Sequence, residues 1–249
     1  MRGEARRPEV RGDRLKIEVL ADADRVAQRA AQFIAAEARA AAAARGRFVL
    51  AVSGGRTPWL MLRYLAKEPL PWEDTCLVQV DERVAPAGHL DRNLTHLRES
   101  LDWHSATTRS GSLSARIYPM PVEEADLAAA ATRYARELGE IAGSPPVLDL
   151  VHLGLGVDGH TASLLPGDPV LDLADVDVAV TAVYQGWRRM TLTYPIIDRS
   201  RRILWLVTGG EKADALARLL DADPSIPAGR VEQSRAVVLA DRPAAAARP

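Results

Sequence analysis

The chain has 249 residues, of which 47% are hydrophobic and 26% charged. Lys and Arg total 32 against 33 for Asp and Glu, a formal charge of −1, so no global field favours nucleic acid or a membrane surface. That length suits an α/β domain with a substantial core; a single cysteine excludes a disulfide framework, and no stretch approaches the roughly 18 uninterrupted apolar residues of a spanning helix.

In chain order, the start carries Arg2, Arg6, Arg7, Arg11 and Arg14 with no apolar partners, and reads as a disordered basic tail over 1–14. It lacks the apolar centre of a signal peptide, so a cytoplasmic protein is expected. Residues 15–20 predict a short strand, and Asp24 to Arg45 a long Ala-rich helix with Val26, Ala30, Phe33 and Ile34 on one face. Phe48–Val52 is the next strand, followed by a glycine turn and a helix from Pro58 to about Lys67. The lone Cys76 falls in the apolar strand Thr75–Val80, where a buried, unreactive thiol is expected. Helices are predicted over Leu94–Leu101 and Glu123–Ala142, with loops near 105–114 and 143–146.

Val147–Leu153 then reads as a buried strand, followed by strands near Val178–Val183, Met190–Tyr194 and Ile203–Val207. A helix over Glu211–Leu220 and a last strand, Ala236–Leu239, placed to close the sheet, complete the pattern, and 241–249 reads as a frayed tail. This alternation predicts an α/β fold: one domain over 15–240 with a mostly parallel, Rossmann-like sheet flanked by helices on both faces.

Four glycine- or charge-bearing segments follow apolar strands, at the sheet edge where α/β proteins place ligands. In Ser53-Gly54-Gly55-Arg56-Thr57-Pro58, Pro58 suits the first helical position and Thr57 its N-cap. Glycines there admit an anion close to free N–H groups, so Ser53, Gly54, Gly55 and Thr57 form a candidate phosphate cradle. With no Walker lysine an NTP is disfavoured, and a plain capped turn is the structural alternative. Asp81-Glu82-Arg83 offers a carboxylate for sugar hydroxyls and a bidentate Arg, or else solvated punctuation after a strand.

The third segment, Gly154-Leu155-Gly156-Val157-Asp158-Gly159-His160, delivers Asp158 and His160 to that edge; only His titrates near neutral pH unaided, which suits a general base. The same letters spell a dinucleotide fingerprint, but Pro166 and Gly167 interrupt the helix that reading needs. A tight turn with a solvated His is the bland alternative. In the fourth, Thr208-Gly209-Gly210-Glu211-Lys212, Lys212 is available as a second cationic clamp; Arg188 and Arg189 are candidates for further charge, with a plain surface cation as the alternative for either. A G-x-S-x-G elbow, an H-E-x-x-H and a paired Cys-x-x-Cys are all missing, so serine-hydrolase and metal chemistry lack anchors.

Taken together, in order and spacing, these segments resemble the 6-phosphogluconolactonase family, within a superfamily that includes glucosamine-6-phosphate deaminases. The resemblance spans roughly residues 15 to 240 and takes in Asn93 and the continuation Thr161-Ala162-Ser163-Leu164-Leu165-Pro166. It implies the NagB/RpiA/CoA transferase-like fold, hydrolysis of 6-phospho-D-glucono-1,5-lactone to 6-phosphogluconate in the oxidative pentose phosphate pathway, and no metal or organic cofactor. His160 would then be the base that activates water, with Asp158 orienting it or the substrate. Ser53–Thr57, Arg189 and Lys212 would hold the phosphate, and Asp81 and Arg83 would line the sugar site.

The expected partner is a small sugar-phosphate lactone, with no nucleic acid and no membrane, and the chain is expected to be a monomer. The deaminase branch has Asn-Glu-Pro in its His loop where this chain has Leu164-Leu165-Pro166, which favours the lactonase. A non-catalytic sugar-phosphate-binding regulator is the remaining alternative. One departure is Arg92 before Asn93, where the family usually has Ser.

Overall fold

In the computed structural model, residues 15–107 and 116–246 are described. The expected tail over 1–14, and 247–249, lie outside them.

The first strand, β1 (Lys16–Leu20), leads into helix α1 (Ala23–Arg45). Asp22 caps α1 by accepting from the Arg25 N–H at 2.9 Å, and Gly46 stops it in the left-handed region at φ 71°. There follow β2 (Phe48–Val52), α2 (Arg56–Leu65), β3 (Thr75–Gln79), β4 (Asp81–Arg83) and α3 (Asn93–Thr107). Next come β5 (Arg116–Tyr118), α4 (Leu127–Ala142), β6 (Leu150–Gly154), β7 (Val178–Val180) and β8 (Arg189–Leu192). The chain closes with α5 (Tyr194–Arg199), β9 (Ile203–Val207), α6 (Ala213–Leu220), β10 (Ala236–Asp241) and α7 (Arg242–Ala245).

Seven strands form one sheet in the order β1-β10-β9-β6-β2-β3-β5, and every pairing in it is parallel. Successive side chains of a strand face opposite ways, so a strand buried on both faces must be apolar throughout. β2 shows this: Phe48, Leu50 and Val52 pack with α1, α2 and the start of α3, while Val49 and Ala51 pack with α4, α5 and α6 on the other face. Helices therefore cover both faces, as the alternation predicts.

Three expectations are corrected. The strands near Val178 and Met190 do not join the parallel sheet; β4, β8 and β7 form a separate antiparallel sheet. The chain crosses between sheets at Val80, whose N–H donates to Val52 O at 3.0 Å while its carbonyl accepts from Leu192 N at 2.8 Å. β10 is not the closing edge strand: β1 lies outside it, and the opposite edge is β5, a strand the sequence reading did not contain. Nor is the chain frayed from residue 241. Asp241 ends β10, accepts from Ala244 N at 2.8 Å to cap α7, and accepts from Gly209 N at 3.0 and 3.1 Å.

Candidate active site

β2, β3, β6 and β9 are neighbours running the same way, so the loops that follow them converge. They enclose a cavity of about 310 Å³ lined by Ser53, Gly54, Gly55, Thr57, Asp81, Arg83, His160, Arg189 and Lys212. Nine of the ten site residues expected from the sequence thus line one space, and the tenth, Asp158, bonds the imidazole at its wall. Asn93, Arg56 and Glu211 line it too. Arg188 does not; its Nε donates to Thr181 O at 3.4 Å, so the cavity cation of that pair is Arg189.

The His loop is shaped by its glycines. A Cβ on Gly156 would collide with His160 Nδ1 and the Asp158 carboxylate, so only glycine lets these side chains fold back over the strand end. The fold-back places His160 Nδ1 2.6 Å from Asp158 Oδ1, while the His160 N–H donates to the same oxygen at 3.2 Å. Partial burial raises the Asp158 pKa, but the neighbouring His160 charge and hydrogen bonds outweigh it and hold the carboxyl below its usual value. An ionised carboxylate only accepts, so the proton sits on Nδ1 and the lone pair is left on Nε2.

Around this imidazole lie groups suited to an anion. Gly55, φ 128°, holds the N-cap position of α2 and offers no side-chain cap, which leaves the helix's first N–H groups free at the cavity. Thr57 is not the N-cap the sequence suggested. It lies inside the helix, and its hydroxyl hydrogen-bonds that of Thr208 at 2.8 Å, tying the β2 and β9 loops together. Arg189 is 4% exposed, and its Nε has no partner among the described residues. Burial, and then repulsion from Arg83, lower its pKa, the mark of a cation held where an anion would be welcome.

Asp81 is steered on both sides. Its Oδ2 accepts from Ser163 Oγ at 2.6 Å and its Oδ1 faces Asn93 Nδ2 at 3.3 Å. Asn93 also packs against Gly54, where a Cβ would overlap its amide. Beneath them is Glu82, fully buried rather than solvated. Its Oε1 accepts from Arg83 N at 2.7 Å and Asn93 N at 2.8 Å; its Oε2 accepts from Leu94 N at 2.9 Å and Gln79 Nε2 at 2.8 Å. Arg92, where the family resemblance leads one to expect Ser, lies with Nε 3.2 Å from that Oε2. His152, also buried, accepts from Ser53 N at 3.2 Å through Nδ1, and burial pushes its pKa down to about 3.

Sequence reasoning missed Glu82, Ser163 and His152, because their partners lie on other elements. The DER run did flag the place. Among the described residues no group of three or more His, Cys, Asp or Glu is placed to hold a metal ion.

A parallel sheet with a His–Asp pair, cations and an uncapped helix start over one polar cavity defines an α/β scaffold suited to a small anionic ligand. The chain belongs to the glucosamine-6-phosphate isomerase/6-phosphogluconolactonase family, whose model matches residues 21–239. It is 37% identical over 247 residues to the 6-phosphogluconolactonase of Mycobacterium tuberculosis, covering 94% of this chain and 98% of that one. The corresponding Synechocystis protein is 36% identical over 215 residues, 84% of this chain and 87% of its own. A 6-phosphogluconolactonase structure from Shewanella baltica superposes with a TM-score of 0.78 at 25% identity, covering 91% of this chain and 97% of that one.

Proposed function

We propose that this protein hydrolyses 6-phospho-D-glucono-1,5-lactone to 6-phosphogluconate, the lactonase step of the oxidative pentose phosphate pathway. The observation that carries the reading is the His160–Asp158 pair, 2.6 Å apart, on the wall of a cavity that also holds Arg83, Arg189 and Lys212. His160 Nε2 takes a proton from a water that attacks the lactone carbonyl. Asp158 keeps the proton on Nδ1 and stabilises the imidazolium as it forms. The tetrahedral intermediate collapses by breaking the bond from C1 to the ring oxygen, which leaves with the proton from His160. Water is consumed, one carboxylic acid and one hydroxyl are produced, and no covalent enzyme intermediate is needed.

The free N–H groups where α2 begins, in the Ser53–Thr57 loop, with Arg189 and Lys212, hold the phosphate dianion and so orient the lactone. Asp81, its oxygens fixed by Ser163 and Asn93, accepts from sugar hydroxyls beside Arg83. Leu165 is 4% exposed and packs in the core, so no acid stands where the deaminase branch has its Glu. The protein acts as a monomer in the cytosol on this reading. Among the described residues no helix is long and apolar enough to cross a membrane.

The test is turnover by the intact chain of freshly made lactone, coupled to 6-phosphogluconate dehydrogenase, beside glucosamine 6-phosphate in a separate assay. The reading predicts hydrolysis well above the spontaneous rate and no release of ammonia. Ammonia release without lactone hydrolysis would place the protein in the deaminase branch, and binding without either reaction would make it a regulator.

A further inference from the structure

The segment between β7 and β8 is a tight hairpin. Tyr184 and Trp187 exchange backbone hydrogen bonds at 2.9 and 3.2 Å around Gln185 (φ 50°) and Gly186 (φ 85°). Two left-handed residues at the tip match the twist of paired strands, so its shape is set locally. Its position is set by the opposite rim. Trp187 Nε1 donates to Asp91 Oδ2 at 2.8 Å and its ring meets His89 edge-on, with centroids 5.4 Å apart. The Asp91 carbonyl in turn accepts from Arg83 at 2.7 Å. The hairpin is thereby braced to a cavity residue on another element.

What the brace holds in place is Tyr184. Its ring lies 6.1 Å from that of His160, with 67° between the planes, and the Arg189 guanidinium carbon sits 5.0 Å from its centroid. Arg189 also donates to Gln185 Oε1 at 3.2 Å. One aromatic side chain therefore touches both the imidazole, from the loop after β6, and the buried guanidinium, from the start of β8.

We infer that Tyr184 is a positioning residue: its ring fixes the His160 imidazole and the Arg189 guanidinium relative to one another, so that the base and the bound anion are placed as a unit. This rests on the lactonase reading for the role of His160, while the contact with Arg189 stands independently of it. Edge-on aromatic and cation–π contacts act through the ring, so the hydroxyl is dispensable.

The experiment compares Tyr184→Ala, Tyr184→Leu and Tyr184→Phe in the full chain, by lactone kinetics and by calorimetric binding of 6-phosphogluconate. Removing both ring contacts in the Ala and Leu variants is expected to cost about tenfold or more in kcat/KM, through a higher KM and a lower kcat together. Binding weakens in both, whereas Tyr184→Phe stays within about twofold of wild type in each readout. Because Leu keeps the apolar bulk, it carries the test if the Ala variant does not fold. The inference is overturned if the Leu variant matches wild type, or if Phe falls as far as Leu. If the wild type shows no lactonase activity while binding still separates Leu from Phe, the functional reading fails and the positioning of Arg189 stands.

Discussion

Gly156 has no side chain because the His160 imidazole and the Asp158 carboxylate fill the space one would occupy. A single methyl there must push the pair apart or rotate the ring out of line with the cavity. Catalysis by a positioned base is steep in geometry, and displacements near 1 Å cost about 10²-fold. Gly156→Ala is therefore expected to lose about 10²-fold in kcat/KM for the lactone while unfolding near the wild-type denaturant midpoint. Steady-state kinetics and a urea titration on the same preparation check this. The letters around position 156 displayed the loop, but a G-x-G-x-x-G pattern serves nucleotide cradles and tight turns alike. What separates those cases is the 2.6 Å contact between side chains two residues apart, which no spacing rule encodes.

At the scale of elements, Glu82 joins β4 to the start of α3. Its carboxylate takes four neutral donors and faces Arg92, with no exposure to solvent. Removing it leaves the first N–H groups of α3 without their acceptor and the buried Arg92 with only Glu123 and the Ala85 carbonyl as partners. Glu82→Ala should cost about 3–5 kcal/mol in unfolding free energy, the penalty for breaking a buried ion pair from one side. Activity should fall as well, since Asp81 and Arg83 flank it. Equilibrium denaturation measures the first effect; a loss below about 1 kcal/mol would mean that water replaces the carboxylate.

Element-level legibility follows run length and apolarity. β2, β3 and β9 are five-residue strands buried along their whole length, and their apolar runs announced them. β5 has three residues, Arg116-Ile117-Tyr118, too few to show a period. β4 is three charged residues whose strand character comes from pairing with β8, and its buried acid looks on paper like a solvated one.

For the molecule as a whole, the two buried faces of the sheet leave His152 at its centre with no access to water. Its pKa in the folded protein is about 3, against roughly 6.5 when unfolded, so between those values the unfolded chain binds the extra proton. Stability is unaffected by this group above about pH 6.5 and falls below it, by up to about 1.4 kcal/mol per pH unit, until about pH 3. Urea unfolding across that range should show a slope shallower by about one proton in His152→Gln, whose amide can still accept from Ser53. Equal slopes would place the buried imidazole in contact with solvent.

The overall α/β architecture and the convergence of the strand-end loops were legible because hydrophobic alternation sets them. The second, antiparallel sheet was not, because its strands are short and the hairpin of β7 and β8 is joined by β4 across a long sequence separation. The Tyr184 hairpin escaped notice for the same reason, as its partners His160 and Asp91 lie on other loops.

The central claim is that His160 is the base of a lactonase, and the most direct measurement is kcat/KM for 6-phosphogluconolactone in wild type and His160→Ala. A wild-type enzyme well above the spontaneous rate, and a folded variant slower by about 10²–10⁴-fold, is the predicted result. A folded His160→Ala protein that hydrolyses the lactone as fast as wild type would contradict it.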